Sequence, residues 1–245
     1  GREIRRAFTA PKGRLLLTAD YSQIELRILA HLSQDKGLLA AFEAGEDIHR
    51  AVAAEVWDVD INDVTPEQRD SAKMVNFGIV YGITPWGLAR RLGPDSSVEE
   101  ASKIIEGYKE RFSGITSFLD DCIEQAETKG YVETILKRRR LIPQIHARHP
   151  QQRGLGERIA INTVVQGSAA DLIKLAMISL EEALPNAFPE ALMLLQIHDE
   201  LVFEVPKLQV EPLRDLVVEH MTTALELDVD LVVDAAWSST WIDAK

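Results

Sequence analysis

Acidic residues at the ends of apolar strands are the first feature of this sequence that indicates chemistry. Asp20 follows the apolar run 14–19, and Asp199 and Glu200 stand at the expected tip of a hairpin between two further apolar runs. Such acids are costly to bury unless a cation neutralises them, and carboxylates are ligands that Mg²⁺ prefers. Two ions about 4 Å apart could activate an attacking oxygen and stabilise a leaving one in phosphoryl transfer. The spacing alone equally allows Asp20 to cap the next helix and the other two acids to face water.

A second candidate site lies on the helix predicted from Thr65 to about Tyr81. It begins Thr-Pro-Glu-Gln, which is a typical start with an N-cap, a first-turn proline and a glutamine three residues after the cap. Arg69, Lys73, Phe77 and Tyr81 recur every fourth residue and share one face. Cations there could meet phosphates and rings could meet a base or sugar, which favours a nucleoside triphosphate. An amphipathic helix with snorkelling basic side chains is the alternative.

The elements that must position these residues follow from the apolar periodicity. The pattern predicts an antiparallel sheet from the two ends of the chain and a mainly helical insertion between them. Predicted strands cover 14–19, 131–135, 192–197, 201–205 and 229–237. Predicted helices begin at Ser22 and cover 65–81, 98–129 with an interruption near 113–114, 157–184 and 208–227, and predicted loops cover 93–97 and 143–156.

Composition restricts the class of protein. The chain has 245 residues, 46% of them hydrophobic, which excludes disorder and predicts one large domain or two small ones. It has no run of about 18 apolar residues, so we expect no membrane span and no membrane partner. Cys122 is the only cysteine, which excludes an internal disulfide and fits a reducing cytoplasm. The sequence begins with neither methionine nor an apolar signal segment, and we expect a piece of a longer chain.

The net charge of −12, taken alone, argues against nucleic-acid binding. The distribution of charge along the chain is more informative. Residues 177–245 contain 14 acidic and 3 basic residues. The stretch 137–158 instead contains seven basic residues and one acidic residue, Glu157. Such a basic strip could hold a phosphate backbone because the local field acts at contact distance, although a solvated loop is the alternative.

Three segments closely resemble the polymerase motifs of family A DNA polymerases, the bacterial DNA polymerase I type. They are Asp-Tyr-Ser-Gln-Ile-Glu-Leu-Arg at 20–27, Arg-x3-Lys-x3-Phe-Gly-x2-Tyr-Gly at 69–82 and Gln-Ile-His-Asp-Glu at 196–200. They occur in the family's order, and the similarity covers essentially the whole chain. The resemblance implies an α+β fold of right-hand polymerase architecture, with an antiparallel palm sheet in 1–30 and 156–245, helical fingers in 31–155, and the thumb absent from this chain.

The resemblance also implies the catalytic and metal-binding residues. Asp20 and Asp199 match the ligands of two Mg²⁺ ions, for which Mn²⁺ is a substitute, and the carbonyl of Tyr21 is a further ligand. Glu200 matches a supporting acid. Lys73 matches a residue that protonates the leaving pyrophosphate.

Further matches concern dNTP and DNA. Arg69, Lys73 and His49 match triphosphate contacts. Phe77 resembles the residue that packs on the sugar and discriminates against nucleotides lacking a 3′-hydroxyl, and Tyr81 matches the residue beside the template base. Glu25 matches the steric gate that excludes a ribose 2′-hydroxyl. From the residues alone, His49 could also be an ordinary helix-end residue and Asn162 a local cap. The implied dNTP-binding set is Ser22, Gln23, Glu25, His49, Arg69, Lys73, Phe77 and Tyr81, and the primer-template set is Arg158, Asn162, Gln166 and His198.

We therefore expect the catalytic core of a template-directed DNA polymerase, cytoplasmic and nucleoid-associated. Its expected partners are primer-template DNA, dNTPs, and the thumb and upstream palm in the same parent chain or in a second chain. A single-subunit, phage-type RNA polymerase shares the Arg-x3-Lys-x7-Tyr-Gly spacing, but an acid at position 25 would exclude ribonucleotides. A non-catalytic DNA-binding or accessory module is the alternative from another class. One departure is Lys137, which stands where many family members carry glycine.

Overall fold

The computed structural model describes residues 2–93 and 96–244, so two residues of the predicted 93–97 loop, Pro94 and Asp95, lie outside the described residues. The chain divides into two compact units. The first, called here the sheet unit, comprises 1–27 and 169–245, and the second, the helical unit, comprises 28–168. These unit boundaries differ from the predicted palm and fingers boundaries at 30/31 and 155/156. Helices combined with an antiparallel sheet confirm the predicted α+β class.

The helices and strands are as follows in chain order. The helices are α1 (Ile24–Ser33), α2 (Lys36–Glu43), α3 (Ile48–Trp57), α4 (Pro66–Val80), α5 (Pro85–Leu92), α6 (Val98–Arg111), α7 (Ser113–Lys129), α8 (Pro150–Ala187) and α9 (Val210–Thr222). The strands are β1 (Arg14–Tyr21), β2 (Tyr131–Glu133), β3 (Arg139–Leu141), β4 (Leu192–Ile197), β5 (Glu200–Pro206) and β6 (Val233–Ser238). Short 3₁₀ helices cover Arg2–Ala7, Ile61–Asp63, Pro143–His146 and Lys207–Gln209.

The sheet unit contains a four-stranded antiparallel sheet in the order β4-β5-β1-β6. It comes from both ends of the chain, as predicted. Its two central strands are rich in buried apolar residues, among them Leu17 and Phe203, which are fully buried. β1 runs beyond its predicted end because Asp20 pairs with Glu200 on one side and Tyr21 pairs with Val233 on the other.

The β4–β5 hairpin is confirmed, with a correction at its tip. His198 and Asp199 form the two-residue turn, and Glu200 is already the first residue of β5. The prediction that Glu200 lies at the tip is wrong because it pairs with Ile197 and with Asp20 in the antiparallel ladders. His198 has φ of 57°, in the left-handed region that few residues other than glycine adopt, although histidine does so more often than most.

The helical unit contains α2 to α7, the first part of α8 and the β2–β3 hairpin. The start of α4 is the predicted capping box, since Gln68 N donates to Thr65 Oγ1 at 3.2 Å and Thr65 N donates to Gln68 Oε1 at 2.9 Å. The predicted interruption near 113–114 is the boundary between α6 and α7 at Phe112. Lys137 has φ of 63°, a left-handed angle that favours glycine.

The boundaries of α8, α9 and β6 differ from the predictions. α8 begins at Pro150, so the end of the predicted 143–156 loop is helical. Gly156 does not break the helix: a Cβ there would lie 2.7 Å from Ile145 N, so glycine permits close packing. α9 and β6 are both shorter than predicted.

α8 passes a length and composition test for a membrane span. Although it has no continuous apolar run, its best 18-residue window has a mean hydropathy of 1.2, and half of that window is buried inside the protein. It is the one such helix in the described ranges. Core helices of soluble proteins meet the same test, so this is weak support for a span.

Candidate active site

The predicted metal ligands come together at one end of the sheet. Asp20 in β1 lies directly opposite Glu200 of β5 and Asp234 of β6. Residues paired in this way project from the same face, so the three acids form a row across three strands. Tyr21 N donates a 3.2 Å hydrogen bond to the carbonyl oxygen of Asp199, which ties the hairpin turn to the end of β1. Sequence reasoning missed Asp234, whose only signal was an acid in a predicted strand.

The donor chemistry of this acid row fits Mg²⁺. Like charges directly opposite one another destabilise an antiparallel pair. Arg5 balances Glu200, and a bound cation would relieve the repulsion between Asp20 and Asp234. Across residues 2–93 and 96–244, no group of three or more His, Cys, Asp or Glu side chains could hold an ion by itself. Mg²⁺ is usually bound through one or two protein carboxylates, with substrate phosphates and water as the other ligands.

Glu200 is held by two residues from distant parts of the chain. Arg5 Nη1 lies 3.1 Å from Oε2, and Trp241 Nε1 donates to Oε1 at 2.7 Å. The Arg5 guanidinium also lies 4.3 Å from the centre of the Trp241 ring. Glu200 is 2% exposed, so its carboxylate is a fixed buried charge next to Asp199. No sequence pattern pointed to Arg5 or Trp241.

The side chain of Tyr21 makes a buried hydrogen bond away from the acids. Only its backbone carbonyl is predicted to bind metal. Its hydroxyl donates to the Met221 carbonyl at 2.7 Å, and burial raises the pKa of Tyr21 well above its usual range. The tyrosine therefore stays neutral and anchors the end of β1 to α9.

The residues after Tyr21 lead into α1. Ser22 N donates to the Val232 carbonyl at 2.8 Å, and Gln23 has φ of 54°. Gln23 Oε1 is buried without a hydrogen-bond partner among the described residues. Buried acceptors of this kind require an explanation such as bound water or a ligand. Glu25 is half-buried in the first turn of α1, and His198 is exposed.

The predicted face of α4 exists in the helical unit. The Phe77 and Tyr81 rings stack with centroids 6.3 Å apart, and the His49 ring lies 6.0 Å from Phe77. Lys73 is exposed and Arg69 is half-buried on the same helix. Two cations and two aromatic rings therefore do lie along one face.

His49 is a buried residue at the start of α3. Asn76 Nδ2 lies 3.2 Å from His49 Nδ1, and an amide that donates there places the proton of the neutral ring on Nε2. Burial lowers the pKa of His49, the nearby charges of Lys73 and Arg69 lower it further, and Asp47 opposes them. The ring is therefore neutral at pH 7 and offers an N–H donor.

A cavity of about 450 Å³ lies at the end of α4. Its lining includes Phe77, Tyr81 and the exposed Trp86, over which Arg90 stacks at 4.9 Å. Tyr81 Oη is buried without a hydrogen-bond partner in the described part of the chain. The cavity therefore combines aromatic surface with cationic side chains.

Gly82, which also lines this cavity, is required there for two reasons. It has φ of 69°, and a Cβ would lie 3.0 Å from Arg158 Cγ. Arg158 begins a face of α8 that continues at Asn162 and Gln166, each one four residues on. Arg158 and Gln166 are exposed, and Asn162 Oδ1 is buried with no hydrogen-bond partner in residues 2–93 and 96–244.

The predicted site residues thus form two groups. The sheet unit contains Asp20, Tyr21, Ser22, Gln23, Glu25, His198, Asp199 and Glu200, and the helical unit contains His49, Arg69, Lys73, Phe77, Tyr81, Arg158, Asn162 and Gln166. The first group contains the acids, and the second contains the cations and the stacked aromatic rings.

The fold is that of polymerase domains. The chain is similar to the POL domain of Pol1 from M. smegmatis, solved as a complex with DNA primer-template and dNTP, with a TM-score of 0.94 and 45% identity. The match covers 99% of this chain and 43% of that one. The family model of DNA polymerase family A matches residues 1–243. The chain belongs to DNA polymerase family A, which confirms the resemblance.

Curated relatives agree. The chain is 47% identical over 246 residues to DNA polymerase I of Lactococcus lactis and 48% identical over 246 residues to that of Bacillus subtilis. In both cases the match covers this whole chain and 28% of the relative's length.

Proposed function

We propose that this chain is the catalytic core of a template-directed DNA polymerase, which adds dNTPs to a primer 3′-hydroxyl and releases pyrophosphate. The observation that carries the proposal is the register that pairs Asp20 with Glu200, the residue after Asp199, together with the hydrogen bond from Tyr21 N to the Asp199 carbonyl, in a family A chain. The related POL domain in complex with primer-template and dNTP supports the same substrates here.

Asp20, Asp199 and the Tyr21 carbonyl would hold two Mg²⁺ ions. Bound there, the ions supply Lewis-acid stabilisation of the attacking 3′-oxygen and of charge on the leaving pyrophosphate. Glu200, fixed by Arg5 and Trp241, supports the position of Asp199. The aspartates act as metal ligands and transfer no proton.

The helical unit supplies the triphosphate and base contacts. Arg69 and Lys73 bind phosphate oxygens, His49 adds an N–H donor, and Lys73 gives its proton to the leaving pyrophosphate. Phe77 packs on the sugar, and Tyr81 lies beside the template base. In the sheet unit, we assign Glu25 to exclusion of a ribose 2′-hydroxyl, and Ser22 and Gln23 to nucleotide binding. The buried polar atoms of Gln23 and Tyr81 are donors or acceptors that a substrate would satisfy.

The α8 face and the β2–β3 hairpin, which carries the basic residues 137–140, would contact DNA. Arg158, Asn162 and Gln166 reach primer and template, and His198 contacts the primer terminus. The exposed basic side chains of residues 137–140 hold DNA phosphates through salt-sensitive contacts. We assign the sheet unit to the palm and the helical unit to the fingers. The thumb and upstream palm come from the same parent chain or a second chain, in the cytoplasm.

Single-nucleotide extension of a labelled primer-template, with Mg²⁺ and one dNTP, tests this function. We expect template-matched extension that Asp199→Ala abolishes and that Asp215→Asn, a change of an exposed acid on α9, leaves intact. If this chain alone is inactive, the same pair of variants is tested in the longer parent chain. DNA binding without metal-dependent extension in either would overturn the proposal and favour a non-catalytic module, and preference for rNTPs would favour an RNA polymerase.

A further inference from the structure

One carboxylate in the helical unit links two residues of the proposed triphosphate site. Asp47 is the N-cap of α3, and its Oδ1 accepts hydrogen bonds from His49 N at 3.0 Å and Arg50 N at 3.1 Å. Its other oxygen, Oδ2, accepts from Arg69 Nε at 2.6 Å. Asp47 therefore fixes the backbone at His49 and the guanidinium of Arg69, which lies 22 residues further along the chain.

The contact with Asp47 uses the Nε edge of the Arg69 guanidinium and leaves its two Nη groups for other acceptors. Arginine carries one N–H at Nε and four on its two Nη groups. Because Asp47 engages Nε, the Nη groups remain the donors suited to phosphate oxygens. Nη1 lies 3.9 Å from Asp70 Oδ1, which is too long for a hydrogen bond.

The same contact contributes little to stability, which points to a geometric role. The Arg69 and Asp47 side chains are 40% and 33% exposed, so solvent screens their charges. Burial alone would raise the pKa of Asp47, but the hydrogen bonds from Arg69 and from Arg50 N lower it below its usual value. The carboxylate is therefore ionised at neutral pH and can accept the hydrogen bond from Arg69.

We propose that Asp47 is a positioning residue for the triphosphate of the incoming nucleotide, acting through Arg69 and His49. The proposal rests on the proposed function. By ordering the long Arg69 side chain before substrate arrives, Asp47 reduces the entropy lost on binding. The opposite effect, competition between the Asp47 carboxylate and phosphates for Arg69, would make binding tighter when the charge is removed.

Asp47→Asn separates the two tasks of this residue. Asparagine is an equally good N-cap, so α3 is retained, while its amide N–H₂ opposes Arg69 Nε as donor against donor. Asp47→Ser also keeps a cap and is too short to reach Arg69. The matched control is Asp60→Asn, because Asp60 caps the 3₁₀ helix Ile61–Asp63 and accepts from Asn62 N at 2.8 Å.

In single-nucleotide extension we expect both Asp47 variants to raise the KM for dNTP about 3- to 10-fold, because one flexible side chain is then left unordered before binding. We expect kcat to change less than about 2-fold. Asp60→Asn should leave both constants unchanged. Equal thermal midpoints for Asp47→Asn and Asp60→Asn would show that the KM change is not a loss of folding. A fall in kcat with unchanged KM would overturn the proposal.

Calorimetric binding of inorganic tripolyphosphate to the whole chain tests the same inference without DNA or catalysis. We expect Asp47→Asn to weaken binding by a similar factor relative to both the original chain and Asp60→Asn. Unchanged or tighter binding, or no binding by the original chain, overturns the positioning role. Weakened binding in a chain that never extends a primer, alone or in its longer parent, keeps the inference and rejects the proposed function.

Discussion

Arg5 Nη1 lies 3.1 Å from Glu200 Oε2, and the Glu200 side chain is only 3% exposed. The pair joins the first helix of the chain to the hairpin that carries Asp199. Trp241 completes the arrangement through its 2.7 Å hydrogen bond to the other carboxylate oxygen. A buried carboxylate is stable only when it is paired and hydrogen-bonded, so this contact allows an acid to occupy the strand next to the proposed metal ligand.

Arg5→Met should reduce the free energy of unfolding by about 2–4 kcal/mol, because it leaves the Glu200 charge buried without its cation. Urea denaturation followed by circular dichroism measures the change. The control is Arg6→Met, whose ion pair with Glu3 is exposed and should be worth less than about 1 kcal/mol. Similar losses for the two variants would contradict the prediction.

Addition of Glu200→Gln to Arg5→Met should recover most of the lost free energy of unfolding. The glutamine is neutral, and its oxygen can still accept the Trp241 hydrogen bond. A double-mutant cycle over the four proteins gives the coupling energy between the two positions. A coupling energy near zero would mean that the destabilisation has another origin.

Glu25→Ala should relax sugar selection, because the space that the carboxylate fills would admit a ribose 2′-hydroxyl. We expect rNTP incorporation relative to dNTP to rise by one order of magnitude or more, roughly 1–3 kcal/mol of lost discrimination. Glu25→Gln keeps the volume of the side chain and should retain the discrimination. If the alanine variant discriminates as well as the original chain, Glu25 is not a steric gate.

Local patterns in the sequence predicted the parts of the fold that depend on local physics. The Thr65–Gln68 capping box, the β4–β5 hairpin and the face of α4 each follow from neighbouring residues, and the structure contains all three. The resemblance added the roles of individual residues, and these remain predictions. The opposed positions of Asp20 and Asp234 could not be read from the sequence because strand register decides them.

Long-range packing explains the features that the sequence did not predict correctly. Arg5 and Glu200 are 195 residues apart, and no periodic signal joins residues at that separation. Gly156 resembled a loop residue, whereas it is a helical position that permits close approach to Ile145. Glu200 was expected in a turn, but pairing with β1 draws it into a strand.

Phe77→Tyr should ease incorporation of dideoxynucleotides, because a phenolic hydroxyl would stand near the vacant 3′ position of the sugar. We expect the preference for dNTP over ddNTP to fall by at least about tenfold, the size of one gained hydrogen bond to a polar group. Competition between dNTP and ddNTP on one primer-template measures the ratio. Phe77→Leu adds no hydroxyl and should not ease ddNTP incorporation, and persistence of the preference in the tyrosine variant would remove the role.

His49 should make stability depend on pH in a defined direction. Burial lowers its pKa below 6.5 in the folded chain, helped by Lys73 and Arg69 and opposed by Asp47 and Asp70. The unfolded chain therefore binds a proton at His49 that the folded chain does not, once the pH falls below about 6.5. The stabilising contribution is present above that pH and is lost as the pH falls towards and through the folded pKa.

Denaturation of the original chain and of His49→Gln between about pH 5 and 8 tests this linkage. The difference in unfolding free energy between the two should shrink as the pH falls, because glutamine does not titrate. His146→Gln, a change of an exposed histidine in the same unit, should follow the original chain across the range. A difference that is constant with pH, or that grows on acidification, would show that the folded chain binds the proton at His49 as readily as the unfolded one.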